Sequence, residues 1–299
     1  MIDSAMMSVN RFKLGICTVL LLAICLGTAG SVHGWSNGGY SSDPDSPDYG
    51  THDWIADAAL QLQTKDVAFL RTTFHNQYLL GTEAPDNTHY IGDTGGHHVY
   101  YHANGTLQDD AGAGRAAAIY ESALQYLKAK DFEHASFEMG TMAHYISDVG
   151  VFGHTMGSST DWGSETHHSD YEDHMNTVAS SMGFPTSLPM GIKDAYNATL
   201  DLARDITFGN GTLPGIWSNV RMDDNYDWNN RSFSASASSS LNESAMTVAS
   251  AINHLLIEAG LPAQSLPPQA DNSGIAIILG GAIAGVSALA IAIHWRRKR

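Results

Sequence analysis

The stretch HYISDVGVFGH (His144–His154), followed by HSDYE (His168–Glu172), decides how this chain reads. It places His144, Asp148, His154, His168 and Glu172 within 29 residues. Helical side chains four positions apart lie on one face, one turn above the other, so His144 and Asp148 can grip one ion, and His168 and Glu172 can do the same. Apolar residues at helical intervals (Phe137, Met139, Met142, Tyr145, Ile146, Val149) predict a helix over Phe132–Val149, ended by Gly150 and Gly153. His154 then sits just past the helix end, and a second helix carrying His168 and Glu172 and facing the first would bring both pairs together. Neutral imidazole and carboxylate are ligands that zinc accepts at about 2.0–2.2 Å when thiolate is absent. A lone His-x3-Asp pair is more often a surface or capping pair. Two such pairs flanking a third histidine, in a chain with 15 histidines, point to a metal site.

The termini set the compartment. Residues 1–34 read as a secretory leader: Arg11 and Lys13 precede the apolar Leu14–Leu26, and Val32-His33-Gly34 form a small-residue exit, so the mature chain would begin at Trp35. Both cysteines, Cys17 and Cys25, fall inside that leader, which leaves the mature chain without a thiol for a disulfide or a metal. At the other end Ile275–Ile293 is a 19-residue run without a charge, followed by a basic tail. At 1.5 Å per residue it spans most of a roughly 30 Å hydrocarbon core, and the tail fixes a cytoplasmic C-terminus. The expected organisation is a leader at 1–34, a catalytic-type domain at 35–260, a Pro-containing stalk at 261–273, a transmembrane helix at 274–294 and a basic tail at 295–299. The domain would then lie outside the cell on a single-pass anchor. Gly281-x3-Gly285 within the span offers a weak helix-pairing face for self-association.

Between 35 and 273, nine Lys and Arg stand against thirty Asp and Glu, a net charge near −21. Such a field repels polyanions and disfavours nucleic acid as a partner. Five Asn-x-Ser/Thr sequons, at Asn104, Asn197, Asn210, Asn230 and Asn242, suit an exported glycoprotein. Periodicity predicts a mostly helical, all-α domain with helices near 52–78, 111–129, 131–149, 165–182, 190–205 and 240–259. Connections rich in Gly, Asp, Pro and Ser fall at 36–50, 81–110 and 155–164. Strand-like alternation is hard to find. The polar stretch 208–239 has no assignable element, and its Ser-rich run 232–240 reads as a loop. Trp162, Trp217 and Trp228 read as core or rim residues, and His75, His89, His134 and His254 as solvated or hydrogen-bonded surface histidines.

With Trp35 at the mature N-terminus, the ligand set resembles the zinc-dependent phospholipase C family, which includes the bacterial phosphatidylcholine-hydrolysing enzymes and the clostridial alpha-toxin. The matching residues are Trp35 after Gly34, His52 in Thr51-His52-Asp53-Trp54, Asp86 after Gly81-Thr82-Glu83-Ala84-Pro85, and His98 in His97-His98-Val99-Tyr100-Tyr101. His144, Asp148, His154, His168 and Glu172 complete the set. The nine positions fall in order over roughly residues 35–180. The family's Asp-Pro after the fourth ligand is missing, so His97 or His102 can take the place of His98. The lipid-binding β-sandwich of the toxins has no room in this chain.

The resemblance implies a multi-helix domain of the zinc-dependent phospholipase C and trinuclear-zinc nuclease type, with three zinc ions. One would be held by Asp86, His98, His144 and Asp148, one by His154, His168 and Glu172, and one by Trp35, His52 and a shared Asp148. It implies hydrolysis of the glycerol-phosphate bond of a phospholipid substrate, with Asp86 as the candidate to orient or deprotonate the attacking water. The related single-strand nucleases and 3′-nucleotidases share several of these ligands but end in His-x3-Asp where this chain has His168-x3-Glu172. A metal-stabilised surface protein without activity is the third reading.

Overall fold

The computed structural model describes residues 35, 47–93, 95–185, 191–211 and 215–262. The leader, the apolar run 275–293 and most of the stalk lie outside the described residues. Among the described residues no helix is long and apolar enough to cross a membrane.

The chain is mostly helical. Its elements are α1 (Thr51–Gln61), a single turn α2 (Ala68–Arg71), α3 (His75–Glu83), a short antiparallel hairpin β1 (Tyr100–Tyr101) and β2 (Leu107–Asp109), then α4 (Ala111–Ala129) and α5 (Phe132–Asp148). A 3₁₀ turn at Phe152–Thr155 leads to α6 (His168–Val178), α7 (Ala195–Phe208), α8 (Asn219–Asp224) and the long α9 (Arg231–Glu258).

Helix α5 is the axis of the fold. Asp131 caps its start by accepting a hydrogen bond from the His134 amide, and every residue from Met139 to Asp148 is buried. A helix buried on all sides is surrounded by others, here α3, α4, α1 and α9. The closest approach is to α3: a Cβ on Gly140 would lie 1.9 Å from the Tyr78 carbonyl oxygen, and one on Gly81 2.1 Å from that of Phe137. The two glycines therefore let the helix backbones touch.

Asp53 ties α1 into the same group. Its carboxylate accepts from the Gly50 amide at 2.8 Å and from the Thr82 hydroxyl at 2.7 Å. The expected helix over 52–78 is broken after Gln61. There Asn253 of α9 accepts from the amide and hydroxyl of Thr64, satisfying the turn's backbone in place of a helical carbonyl.

The run 232–240 is helix, not loop. Asn230 caps α9 by accepting from the Ser232 and Phe233 amides, and the hydroxyls of Ser238, Ser239 and Ser244 bond back to the carbonyls of Ser234, Ala235 and Ser240. Serines that serve their own helix this way pack as small side chains. Pro262, at the start of the expected stalk, accepts from the Asp66 amide at 3.1 Å.

Candidate metal centre

Helices α1, α5 and α6, the loop between α3 and β1 and the 3₁₀ turn aim imidazoles and carboxylates at one buried region. Among the described residues three groups could each hold a metal ion: His52, His144 and Asp148; Asp86, His97 and His144; and His154, His168 and Glu172. All eight residues are buried. Asp148, with no exposed surface, sits at the centre: one oxygen lies 3.1 Å from His52 Nε2, the other 2.6 Å from His97 Nδ1 and 3.1 Å from His144 Nε2. The His52 and His144 rings stack at 4.1 Å, and Asp86 stands 3.7 Å from both His97 and His144. In the third group His168 Nε2 is 2.5 Å and His154 Nε2 3.7 Å from Glu172.

The outward nitrogen of each of four rings is held by a partner. His144 Nδ1 meets the Thr82 carbonyl at 2.7 Å and His97 Nε2 the Asp93 carbonyl at 2.8 Å. A carbonyl only accepts, so those nitrogens carry the hydrogen and the inward nitrogens can present lone pairs. His52 Nδ1 lies 2.9 Å from the Ser147 hydroxyl, and His168 Nδ1 3.4 Å from Glu165. His97 Nδ1 and His144 Nε2 bond to each other, and His97 Nδ1 to Asp148, while the inward atoms His52 Nε2, Asp148 Oδ1, His154 Nε2, His168 Nε2 and Glu172 Oε1 face one another with no further hydrogen-bond partner. Buried polar atoms are almost always satisfied. Five such atoms converging from oriented imidazoles and carboxylates fit divalent cations of the zinc kind.

The electrostatics of the metal-free protein lead to the same place. Burial opposes charge on His97, but the bond and the negative charge of Asp148 outweigh it and lift the ring to about 9. Glu172, with Glu165, does the same for His168, lifting it to about 10. Burial pushes the Glu172 carboxyl up to about 8. It also pushes His52 down to about 4, helped by His144, and His154 well below the usual range, helped by His168. Asp148 is held well below the carboxylate range by the three imidazoles, against the effect of burial. Protons are thus shared unevenly over a crowd of buried donors, the charge pattern that cations relieve.

The nine residues expected from sequence fall into two sets. His52, Asp86, His144, Asp148, His154, His168 and Glu172 converge. Trp35 is wholly buried beside them: its indole donates to the Ser147 carbonyl at 2.8 Å, and its ring lies 5.5 Å from Tyr171. His98 does not join them. It is partly exposed, 3.4 Å from Asp109 and stacked on Tyr100, while its neighbour His97 stands in the cluster. His102 is exposed and pairs with Asp161. The reason is alternation: His97, Val99 and Tyr101 are buried where His98 and Tyr100 are not, and extended backbone turns successive side chains to opposite faces.

Gly153 makes room for His168, because a Cβ there would lie 2.5 Å from the ring's Cγ. The supporting partners Thr82, Asp93, Ser147 and Glu165 were not anticipated. Thr82 and Asp93 act through main-chain carbonyls, which leave no mark in a sequence. The tryptophans do sit at the core's rim: Trp162 donates to the Tyr101 carbonyl, Trp228 to the Tyr226 hydroxyl, and Trp217 lies under the Arg221 guanidinium.

No family model matches the sequence, and no curated protein does. Solved structures do. The alpha toxin from Clostridium absonum superposes with a TM-score of 0.53 at 12% identity, over 75% of this chain and 67% of that one. The alpha-toxin of a Clostridium perfringens avian strain gives a TM-score of 0.49 at 14% identity, over 76% and 65%. The family resemblance carried by scattered histidines and carboxylates is matched in the course of the backbone: the chain has the helical fold of the absonum toxin.

Proposed function

We propose that this chain is a metal-dependent phosphodiesterase of the phospholipase C type, which binds three zinc ions and cleaves the glycerol-phosphate bond of phospholipids. The observation that supports the reading is the set of three buried donor groups, the first two sharing His144, with Asp148 in contact with the imidazoles of both. Asp86, His97, His144 and Asp148 would hold one ion, His154, His168 and Glu172 a second, and His52 with Asp148 a third. Cleavage after Gly34 would free the Trp35 amine as a further donor to that third ion. Zinc bound there supplies charge neutralisation for a phosphodiester and lowers the pKa of bound water toward neutrality.

The chain's own residues prepare the site. The Thr82 and Asp93 carbonyls fix the orientation of His144 and His97, and the surrounding helices keep the donors out of bulk water. Asp86, of the group with His97 and His144, would orient the attacking water. In this proposal residues 1–34 are removed on export, 274–294 anchor the domain to the membrane, and the substrate is lipid of that bilayer. The excess of acidic residues and the His168-x3-Glu172 pair favour lipid over nucleic acid.

The test is a paired assay of the processed protein on a chromogenic phosphocholine ester and on single-stranded DNA, before and after chelation and zinc return. Zinc-restored turnover of the ester alone supports the proposal. Turnover of the DNA alone assigns the chain to the nucleases, and turnover of neither with zinc bound leaves a metal-stabilised surface protein.

A further inference from the structure

The stretch 215–228, which the metal groups do not use, grips the two segments that deliver the histidines of the third group. Asp223 of α8 is buried, and its carboxylate accepts from the Thr166 amide at 3.0 Å, the Thr166 hydroxyl at 3.2 Å, the His167 amide at 3.1 Å and His167 Nδ1 at 3.0 Å. Those residues are the last before His168 and the start of α6. One turn earlier in α8, Asn219 is wholly buried and donates from Nδ2 to the Thr155 carbonyl at 3.0 Å. Thr155 directly follows His154. Past the end of α8, Tyr226 stacks on His167 at 4.4 Å with the planes 6° apart.

The clamp is itself anchored. The Ser236 hydroxyl of α9 accepts from the Trp217 amide and donates to the Met222 sulfur. A carboxylate that accepts four donors from two adjacent residues fixes their backbone as well as their side chains. His154 and His168 come from segments separated by a turn and a loop, and α8 is the element bonded to both. Nothing on α8 reaches the donor atoms, so its effect must pass through the backbone positions of the two ligands.

We propose that Asp223 and Asn219 are positioning residues for the His154, His168 and Glu172 metal group, so that α8 sets the affinity of one ion of the three. The proposal rests on the trinuclear reading above. Outer partners of metal ligands typically change affinity by about 10–100-fold when removed, and a loss in that range is expected for one zinc ion only.

The experiment is stepwise zinc competition against a chelator on the full chain, comparing wild type, Asp223→Ala, Asp223→Asn and Asn219→Ala, with His168→Ala marking which step belongs to this group. Thermal melting of each chelated protein is measured alongside. The expected result is that the step abolished in His168→Ala is weakened about tenfold or more in the Asp223 variants, while the other two steps keep their wild-type affinity. If all three steps weaken together in proportion to a fall in melting temperature, or if none changes, the positioning role is overturned. A wild type that binds no zinc at the His168-dependent step refutes the metal reading itself, a separate outcome from the first two. Should Asp223→Ala fail to fold, the near-isosteric Asp223→Asn decides the question, because it keeps the shape while presenting an amide to donors that met a carboxylate.

Discussion

Replacing Asp148 by asparagine tests the centre of the site, because this carboxylate has no exposed surface and three imidazoles within 3.1 Å. Asn keeps the size of the side chain and removes its charge. In the metal-free protein the raised pKa of His97, about 9, owes most of its support to Asp148, so the variant strands a buried imidazole without its counter-charge. Breaking a buried pair by removing one partner costs about 3–5 kcal/mol. For a domain of this size, at roughly 2–4 °C per kcal/mol, that is about 6–20 °C of melting temperature.

The contrast is His154→Ala. His154 is held neutral by burial and by His168, so its removal leaves a cavity but no unpaired charge. In the proposed arrangement Asp148 would serve two ions and His154 one, so Asp148→Asn should release two ions and His154→Ala one. Elemental analysis and thermal melts with and without chelator measure both effects. An Asp148→Asn protein that keeps its full zinc and melts within about 2 °C of the parent would falsify the bridging role.

Three further outcomes are expected, two from the site geometry and one from the proposed anchor. Because His97 and His168 hold protons at neutral pH and Glu172 titrates near 8, zinc must displace protons to bind. Its affinity should therefore rise as pH goes from 6 to about 9, with proton release in unbuffered titration, and a pH-independent affinity contradicts this. Gly153→Ala puts a methyl group 2.5 Å from the His168 ring, an overpacking cost of about 1–3 kcal/mol. Zinc should fall by one equivalent, and an unchanged zinc content shows that the ring yields freely. If residues 274–294 anchor the domain, the 11 residues 263–273 beyond the bonded Pro262 would reach about 34 Å if extended and let the site meet its own bilayer at high effective concentration. The full chain in vesicles should then cleave lipid of its own vesicle much faster than lipid of others. The 35–273 fragment should lose that advantage yet still cleave a soluble diester, and equal vesicle rates for both forms exclude a catalytic role for the anchor.

What the sequence reveals of this site follows from how local each signal is. His144 and Asp148, or His168 and Glu172, are one helical turn apart, so periodicity alone puts each pair on one face, and the helices at 111–129 and 131–149 stand almost where their apolar spacing predicts. The choice between His97 and His98 is also local, through the alternation with Val99 and Tyr101, but it is seen only once that segment is known to be extended. The serines of 232–240 mislead for a different reason. Their hydroxyls can compete with helix backbone or serve it, and burial against the core settles which, as with Phe233 and Ser236 of α9.

The stretch 208–239 is the hardest case. Asn219 and Asp223 act on the Thr155 carbonyl and on the amides of Thr166 and His167, and backbone groups are the same at every residue. A side chain whose partner is main chain has no complementary residue type to pair with in a sequence. The elements that position a metal ligand can therefore be less visible than the ligand itself, even when they hold it from a few ångströms away.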